Sequence, residues 1–213
     1  MSKSTSCRIF ILSPARLDGK RAEMLLSDRA KFDLAVRLRD AGATLGEVFA
    51  FLSGLYFRGK LAYSKLFARP NRRISGIWVI TTNRGLVPVD TMVTAEELIA
   101  FGKVPIDPSD TRYFNALRES ALDLEQKLPK KCEVVLLGSI GSKKYVELLI
   151  KVFGDRLLFP PSFVGRGDMS RGGLMLRCTD SGEELEYVPL EGAVRHGKRP
   201  PRLEKRVLPK DDL

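Results

Sequence analysis

The stretch CEVVLLGSIGSKK, residues 132–144, decides the fold. Its first half is a nearly continuous apolar run, which is typical of a strand buried on both faces of a parallel sheet. The run ends at Gly138, and the small, hydroxyl and basic residues that follow predict a loop leading into a helix. The stretch therefore predicts a strand, loop and helix of an α/β fold.

Three other apolar runs have the same layout, each ending in a loop that carries basic, small or hydroxyl residues. These predicted strands are residues 7–12, 76–82 and 156–159. Helices are predicted between the strands, at residues 18–42, from Thr44 to Leu52, at 94–102, at 110–128 and at 142–153. Because strands that alternate with helices form parallel sheets, we expect an α/β domain with a mostly parallel sheet of about four strands flanked by helices.

The end of the chain has a different pattern. Residues 174–178 and 184–188 predict a late antiparallel hairpin. Residues 195–213 are basic and contain proline, which predicts a flexible tail after a single nucleic-acid-binding domain at 1–194. Within that tail, His196 is interpreted as one more basic residue and not as a catalyst.

Composition favours an anionic partner. The chain has 213 residues and a net charge of +10, which favours nucleic acid over a membrane, with a merely soluble basic protein as the alternative. One histidine and no Cys-x-x-Cys pair leave a zinc site without ligands, and we expect no metal and no cofactor. We expect a monomer in the cytoplasm, because no signal-like segment and no apolar run of about 18 residues is present.

The cysteines are widely spaced along the chain. Cys7, Cys132 and Cys178 are interpreted as small core residues of a protein in a reducing compartment, and not as a disulfide framework.

Residues 58–73 contain six Arg or Lys and no acid, and aromatic residues are interleaved with these charges. The combination suits phosphate binding with base stacking by Tyr56 or Tyr63. It equally suits a helix whose aromatic face is buried and whose charged face is solvated. The pattern leaves both interpretations open.

The loops after the four strands supply the candidate site, because the carboxyl ends of parallel strands share one edge, where open α/β folds bind ligands. Asn83, Asp90 and Asp168 are the candidate catalytic residues, an amide to read a base and carboxylates to orient water or stabilise a cationic transition state. The alternative for Asp90 is a cap of the following turn. The candidate nucleic-acid-binding residues are Ser13, Arg16, Tyr56, Arg58, Lys60, Tyr63, Arg84, Ser139, Ser142, Lys143, Lys144, Arg166, Ser170 and Arg171.

The turn at residues 138–144 has its own two interpretations. Its backbone N–H groups suit a phosphate, and a tight strand-to-helix connection explains the same residues. It lacks the spacing of a P-loop, so nucleotide hydrolysis is not predicted.

Four short motifs resemble the YaaA-like DNA-binding proteins linked to peroxide stress, and related bacterial and phage domains. They are LSPA at 12–15, GLYFRG at 54–59, GLVPVD at 85–90 and RGDMSR at 166–171. The resemblance implies a mixed α/β DNA-binding fold with a deep basic cleft formed by these loops. The chain differs in being shorter, in Asp168, where the relatives carry an apolar residue, and in its basic tail.

A looser likeness, of layout alone, is to the uracil-DNA glycosylase superfamily, whose Gly-Gln-Asp-Pro-Tyr and His-Pro-Ser motifs are missing here. The leading hypothesis is a DNA glycosylase that extrudes and excises a damaged or modified base from double-stranded DNA, for repair or defence against phage. The alternatives are a DNA-binding protein without catalysis that protects DNA under stress, and an enzyme of free nucleotides or nucleosides.

Overall fold

The structure, a computed structural model, describes residues 7–141 and 143–204. It is an α/β fold built on a six-stranded sheet of order β4-β3-β1-β6-β7-β8. The strands of this sheet are β1 (Arg8–Leu12), β3 (Ile77–Ile80), β4 (Leu86–Pro88), β6 (Glu133–Leu137), β7 (Leu157–Phe159) and β8 (Val188–Pro189). A separate antiparallel pair joins β2 (Ala43–Thr44) to β5 (Met92–Val93).

The mostly parallel sheet predicted from the sequence is confirmed. The four predicted strands are β1, β3, β6 and β7, and they are parallel neighbours. Their carboxyl ends therefore lie at one edge, which we call the carboxyl edge. The two outer strands, β4 and β8, run antiparallel to their neighbours.

Helices cover both faces of the sheet. They are α1 (Lys20–Leu26), α2 (Asp33–Asp40), α3 (Leu45–Ser53), α4 (Leu55–Phe67), α5 (Ala95–Gly102), α6 (Thr111–Lys127), α7 (Val146–Phe153) and α8 (Asp168–Ser181). The side chains of Thr44 and Thr94 cap α3 and α5 at the predicted starts. The single helix predicted at 18–42 is wrong, because the chain turns between α1 and α2, where Arg39 donates to the carbonyls of Ser27 and Ala30.

An antiparallel pair is present near the C-terminus, but its strands are not the predicted ones. Val188–Pro189 pairs with β7, whereas residues 174–178 lie inside α8. The glycines at 165–173 suggested a loop after the last strand, yet α8 begins at Asp168. Packing explains the difference, since this helix buries Met175 in the core and lies directly against α4.

Glycine lets α4 and α8 touch through their backbones. A Cβ atom on Gly172 would lie 2.8 Å from the carbonyl oxygen of Leu55 and 2.9 Å from the Cα of Tyr56. A Cβ on Gly59 would lie 2.6 Å from the carbonyl oxygen of Gly172. These two glycines therefore bring the first turns of α8 against α4, close to the carboxyl edge.

The sheet separates two cores because successive strand residues point to opposite faces. Phe10 and Leu12 of β1 pack with α3, α4 and α8, which we call the α4–α8 layer. Ile9 and Ile11 pack with α6 and α7, which we call the α6–α7 layer. No helix in the described part of the chain is long and apolar enough to cross a membrane.

The expectation of unpaired core cysteines is wrong for two of the three. Cys7 and Cys132 form a disulfide, and Cys178 is free. Each bonded cysteine directly precedes one of two paired parallel strands, where Arg8 lies opposite Glu133. Local sequence did not reveal the pairing because 125 positions separate the two cysteines. The bond lies at the amino ends of β1 and β6, away from the carboxyl edge.

Candidate functional site

A pocket of about 570 Å³ opens at the carboxyl ends of β1 and β6, and we call it the carboxyl-edge pocket. In the sheet, β3 lies on one side of β1 and β6 lies on the other. The loops that follow β1 and β6 therefore lead away from each other and leave a crevice between them, as in other open α/β sheets. Its lining is Ser13, Pro14, Ala15, Arg16, Leu52, Ser53, Tyr56, Ile106, Ser139, Lys144, Tyr145 and Asp168. An adjoining cavity of about 690 Å³ shares Arg16 and Lys144 and continues past Thr82.

Lys60 lies behind the wall of this pocket. Its Nζ donates to the carbonyl oxygen of Ser13 at 2.7 Å and to the hydroxyl of Ser13 at 2.8 Å. The same nitrogen lies 4.5 Å from the ring centre of Tyr56 and 4.7 Å from that of Phe57. Only 1% of Lys60 is exposed, and burial lowers its pKa to about 7. The pocket is thus backed by an amine that changes its charge near neutral pH.

Two tyrosine hydroxyls border the pocket. Tyr145 donates to the carbonyl oxygen of Ser139 at 2.9 Å. The hydroxyl of Tyr56 is buried and has no hydrogen-bond partner among the described residues. Burial raises the pKa of both tyrosines, so both remain protonated donors at neutral pH. Gly138 allows this packing, because a Cβ there would lie 2.7 Å from the Cβ of Ser13 and 2.9 Å from the Tyr145 hydroxyl.

The start of α8 supplies a carboxylate and a guanidinium. Asp168 lines the pocket, and 66% of its side chain is exposed. It pairs with Arg171 at 3.4 Å, and Arg171 also donates to the carbonyl oxygen of Phe163 at 3.2 Å. Only 11% of the Arg171 side chain is exposed, so its position is set by the protein and not by solvent.

Residues 195–204 lie along the same edge, although their composition predicts a flexible tail. Arg195 pairs with Glu147, and Arg195 and His196 line a cavity of about 420 Å³ that also includes Ser139 and Arg171. Further along, Arg177 donates to the carbonyl oxygen of Glu204. The first part of the tail therefore lies beside the carboxyl-edge pocket, where Glu147 pairs with the charge of Arg195.

The predicted convergence of three catalytic residues is wrong. Asp168 reaches the pocket, whereas Asp90 is exposed at the opposite edge of the sheet, because it follows β4, which runs antiparallel to β3. Asn83 lies in the turn between β3 and β4 at the carboxyl edge, but it does not line the pocket. The buried Oδ1 of Asn83 has no partner within the described ranges. The short strand β4, which the sequence did not reveal, separates these residues.

The predicted nucleic-acid-binding residues do not all lie at the same place in the structure. Those that line the carboxyl-edge pocket are Ser13, Arg16, Tyr56, Ser139 and Lys144, with Lys60 behind the wall and Arg171 in the neighbouring cavity. Arg58 and Lys143 are exposed outside this lining, Arg84 pairs with Glu97 at 2.8 Å, and Arg166 donates to Ser170. Ser142 lies outside the described residues.

Residues 55–67 form a helix with a buried aromatic face, so the second interpretation of the basic segment applies to them. The prediction that Tyr63 stacks on a base is wrong, because its ring is buried and its hydroxyl forms a hydrogen bond of 2.5 Å with the hydroxyl of Tyr187. Sequence reasoning treated Lys60 as a solvated phosphate contact and missed its burial. It also missed Tyr145, for which the only local signal is its place just after the Gly-Ser-Lys turn.

No three His, Cys, Asp or Glu side chains gather as potential metal ligands within residues 7–141 and 143–204. The polar groups of the pocket are instead hydroxyls, cations and the single carboxylate of Asp168. Such a set suits hydrogen bonding to an anionic or sugar-containing ligand. No family model matches the chain, and no curated protein and no solved structure was found to match it.

Proposed function

We propose that this protein binds DNA along the carboxyl edge and cleaves the N-glycosidic bond of a nucleotide turned into the carboxyl-edge pocket, leaving an abasic site. The observation that carries the proposal is the shared pocket of Asp168, Tyr56 and Arg16, a carboxylate, a buried hydroxyl and a cation around about 570 Å³. That volume is within the usual range of small-ligand sites.

Positive charge around the pocket supports a polynucleotide substrate. The net charge of the chain is +10, and Arg16, Lys144 and Arg195 lie at or beside the pocket, where Arg16 pairs with Asp18 and Arg195 with Glu147. Contacts of such cations with phosphates offset the few kcal/mol, in order of magnitude, that it costs to extrude a base.

In this scheme Asp168 orients water or stabilises the oxocarbenium-like sugar, because it is the only carboxylate among the described residues that line the pocket. Tyr56 donates a hydrogen bond to the departing base, whereas the hydroxyl hydrogen of Tyr145 is held by the carbonyl oxygen of Ser139. Asn83 and Asp90 take no part, since neither lines the pocket. We further propose a monomer in the cytoplasm, a compartment in which a disulfide such as Cys7–Cys132 is unusual.

A second candidate is DNA binding without catalysis. The observation that favours it is the surroundings of Asp168, which is 66% exposed and paired with Arg171 three residues further along α8. Such a carboxylate is also what an ordinary helix start contains. The same pocket then holds DNA and protects it.

Asp168→Asn separates the two candidates. Double-stranded DNA carrying damaged or modified bases is incubated with the protein, and abasic sites are detected as alkali-labile breaks. We expect wild type to produce breaks and Asp168→Asn to lose them by about 100-fold, the usual effect of removing one catalytic carboxylate, while DNA affinity is kept. The matched control is Asp123→Asn, another exposed carboxylate in a helical ion pair, with Lys127 of α6.

The possible results are distinct. Breaks produced equally by Asp168→Asn remove this carboxylate from the mechanism. DNA binding without breaks, over a panel of modified bases, supports the binding function instead.

A further inference from the structure

Lys60 is a buried amine with no carboxylate among its hydrogen-bond partners in the described residues, although Asp168 acts on it from a distance. It is 1% exposed, and within the described ranges its hydrogen-bond partners are the carbonyl and hydroxyl oxygens of Ser13, both of them neutral. Burying a charge is costly unless an opposite charge or several hydrogen bonds compensate it. A ligand that supplied negative charge nearby would remove much of this cost.

Ser13 connects Lys60 to the carboxyl-edge pocket. Its hydroxyl oxygen accepts from Lys60 at 2.8 Å, its hydroxyl hydrogen is left to donate to the Tyr145 oxygen or to a ligand, and Ser13 lines the pocket with 6% of its surface exposed. A hydroxyl that accepts from a cation is a stronger donor than a free hydroxyl, because hydrogen bonds in a chain polarise one another. The charge of Lys60 therefore acts on the pocket through Ser13.

Tyr56 is an independent sign of a missing acceptor. It lines the same pocket, it is only 6% exposed, and its hydroxyl has no acceptor among the described residues, since its nearest charged neighbour, Arg171, can only donate. Buried polar groups are nearly always paired, so a buried hydroxyl with no acceptor, on a residue that lines a pocket, is a candidate donor to a ligand. The guanidinium of Arg171 lies close enough to influence this hydroxyl and adds a second positive charge.

We propose that Ser13 and Tyr56 form an anion subsite of the carboxyl-edge pocket, with the buried Lys60 as its positive charge, and that this subsite takes the phosphate group of a nucleotide. The proposal concerns binding alone and does not depend on cleavage of a glycosidic bond. The phosphate belongs either to a free nucleotide or to a DNA strand, and the test below distinguishes these sources.

The subsite is coupled to protons. The charged groups that act on Lys60 are Asp168 and Arg171, both on α8. The end of β1 supplies the neutral oxygens of Ser13, and α3 packs against α4 with apolar side chains. Burial lowers the Lys60 pKa to about 7, and a bound anion raises it again. Binding near pH 8 therefore takes up a proton, and affinity falls as pH rises above about 7.

The test is calorimetric titration of the protein with a dinucleoside monophosphate, whose single diester does not titrate near neutral pH. We expect proton uptake, measured at pH about 8 in buffers of different ionisation enthalpy, and up to about a tenfold loss of affinity per pH unit above 7. The matching nucleoside, which lacks the phosphate, should show no uptake. Inorganic phosphate that competes at the same site indicates a free nucleotide, and competition by a DNA strand alone indicates the polymer.

Matched variants tie the effect to these side chains. Lys60→Met should abolish proton uptake and weaken binding about tenfold or more, whereas Lys65→Met, on the exposed side of the same helix, should change neither. If Lys60→Met does not fold, Ser13→Ala decides, and Ser64→Ala is its control, because Ser64 is another buried serine but lies on α4. Uptake retained in Lys60→Met, full affinity in Ser13→Ala, or no binding of the probe would each overturn the proposal.

Discussion

The helices of the two layers on this sheet pack through different groups. In the α6–α7 layer the helices meet through apolar side chains such as Leu117, Leu124 and Leu149. In the α4–α8 layer they meet at Gly59 and Gly172, backbone against backbone. The first arrangement fills space with side chains, and the second leaves room for polar groups at the helix ends.

The polar groups follow this difference. The α4–α8 layer contains the buried Lys60, and it brings Asp168 and Arg171 to the end of β1. The α6–α7 layer contributes mainly packing, although Tyr113 is buried there with an unpartnered hydroxyl. The comparison indicates that close helix contact on one face is what assembles the carboxyl-edge pocket.

The largest effect is expected from adding a methyl group where α4 and α8 touch. Gly172→Ala places a methyl group within 3 Å of backbone atoms of α4, and overpacking of this kind destabilises by about 3 kcal/mol. Gly173→Ala is the control, because its Cβ meets only the ends of flexible side chains and alanine favours the helix by up to about 1 kcal/mol. Urea unfolding measures both. Equal stability of the two variants would contradict the backbone contact.

An intermediate effect is expected from pH, through the buried amine of the α4–α8 layer. The pKa of Lys60 is about 7 in the folded protein against 10.5 as the ordinary value, so the unfolded chain binds more protons between these values. Folding stability should therefore rise with pH in that window, by up to about 1.4 kcal/mol per pH unit from this residue. Urea unfolding at pH 7 and at pH 9 measures it, below the range in which the tyrosines titrate.

Lys60→Met should remove this part of the pH dependence, and Lys65→Met should keep it. If the wild type and Lys60→Met show the same slope between these pH values, Lys60 is charged and compensated in the folded protein.

The smallest effect is expected from removing the hydroxyl of one buried tyrosine in each layer. Tyr56→Phe and Tyr113→Phe each remove a buried hydroxyl without a described partner, so each should change stability by less than about 1 kcal/mol without ligand. Thermal unfolding with the dinucleoside monophosphate should separate them. We expect the ligand to stabilise Tyr56→Phe less than wild type and to stabilise Tyr113→Phe as much as wild type. An equal response of the two variants would remove Tyr56 from the subsite.

Sequence patterns predicted what depends on near neighbours. The apolar runs located four parallel strands, and Thr44 and Thr94 marked helix starts, because strand burial and capping involve residues only a few positions apart. The start of α8 was missed for a reason outside the segment. Its glycines look like a loop locally, and they are helical because α4 lies against them.

Local sequence patterns were enough to predict an α/β protein with excess positive charge and with basic, hydroxyl-bearing loops at one edge of a parallel sheet. The folded arrangement was needed to see that Lys60 is buried behind Ser13, that Asp168 reaches their pocket and that Asp90 does not. The physical reason is that burial and charge pairing are set by contacts between distant segments. Ser13 and Lys60 are 47 positions apart, and no local pattern encodes their contact.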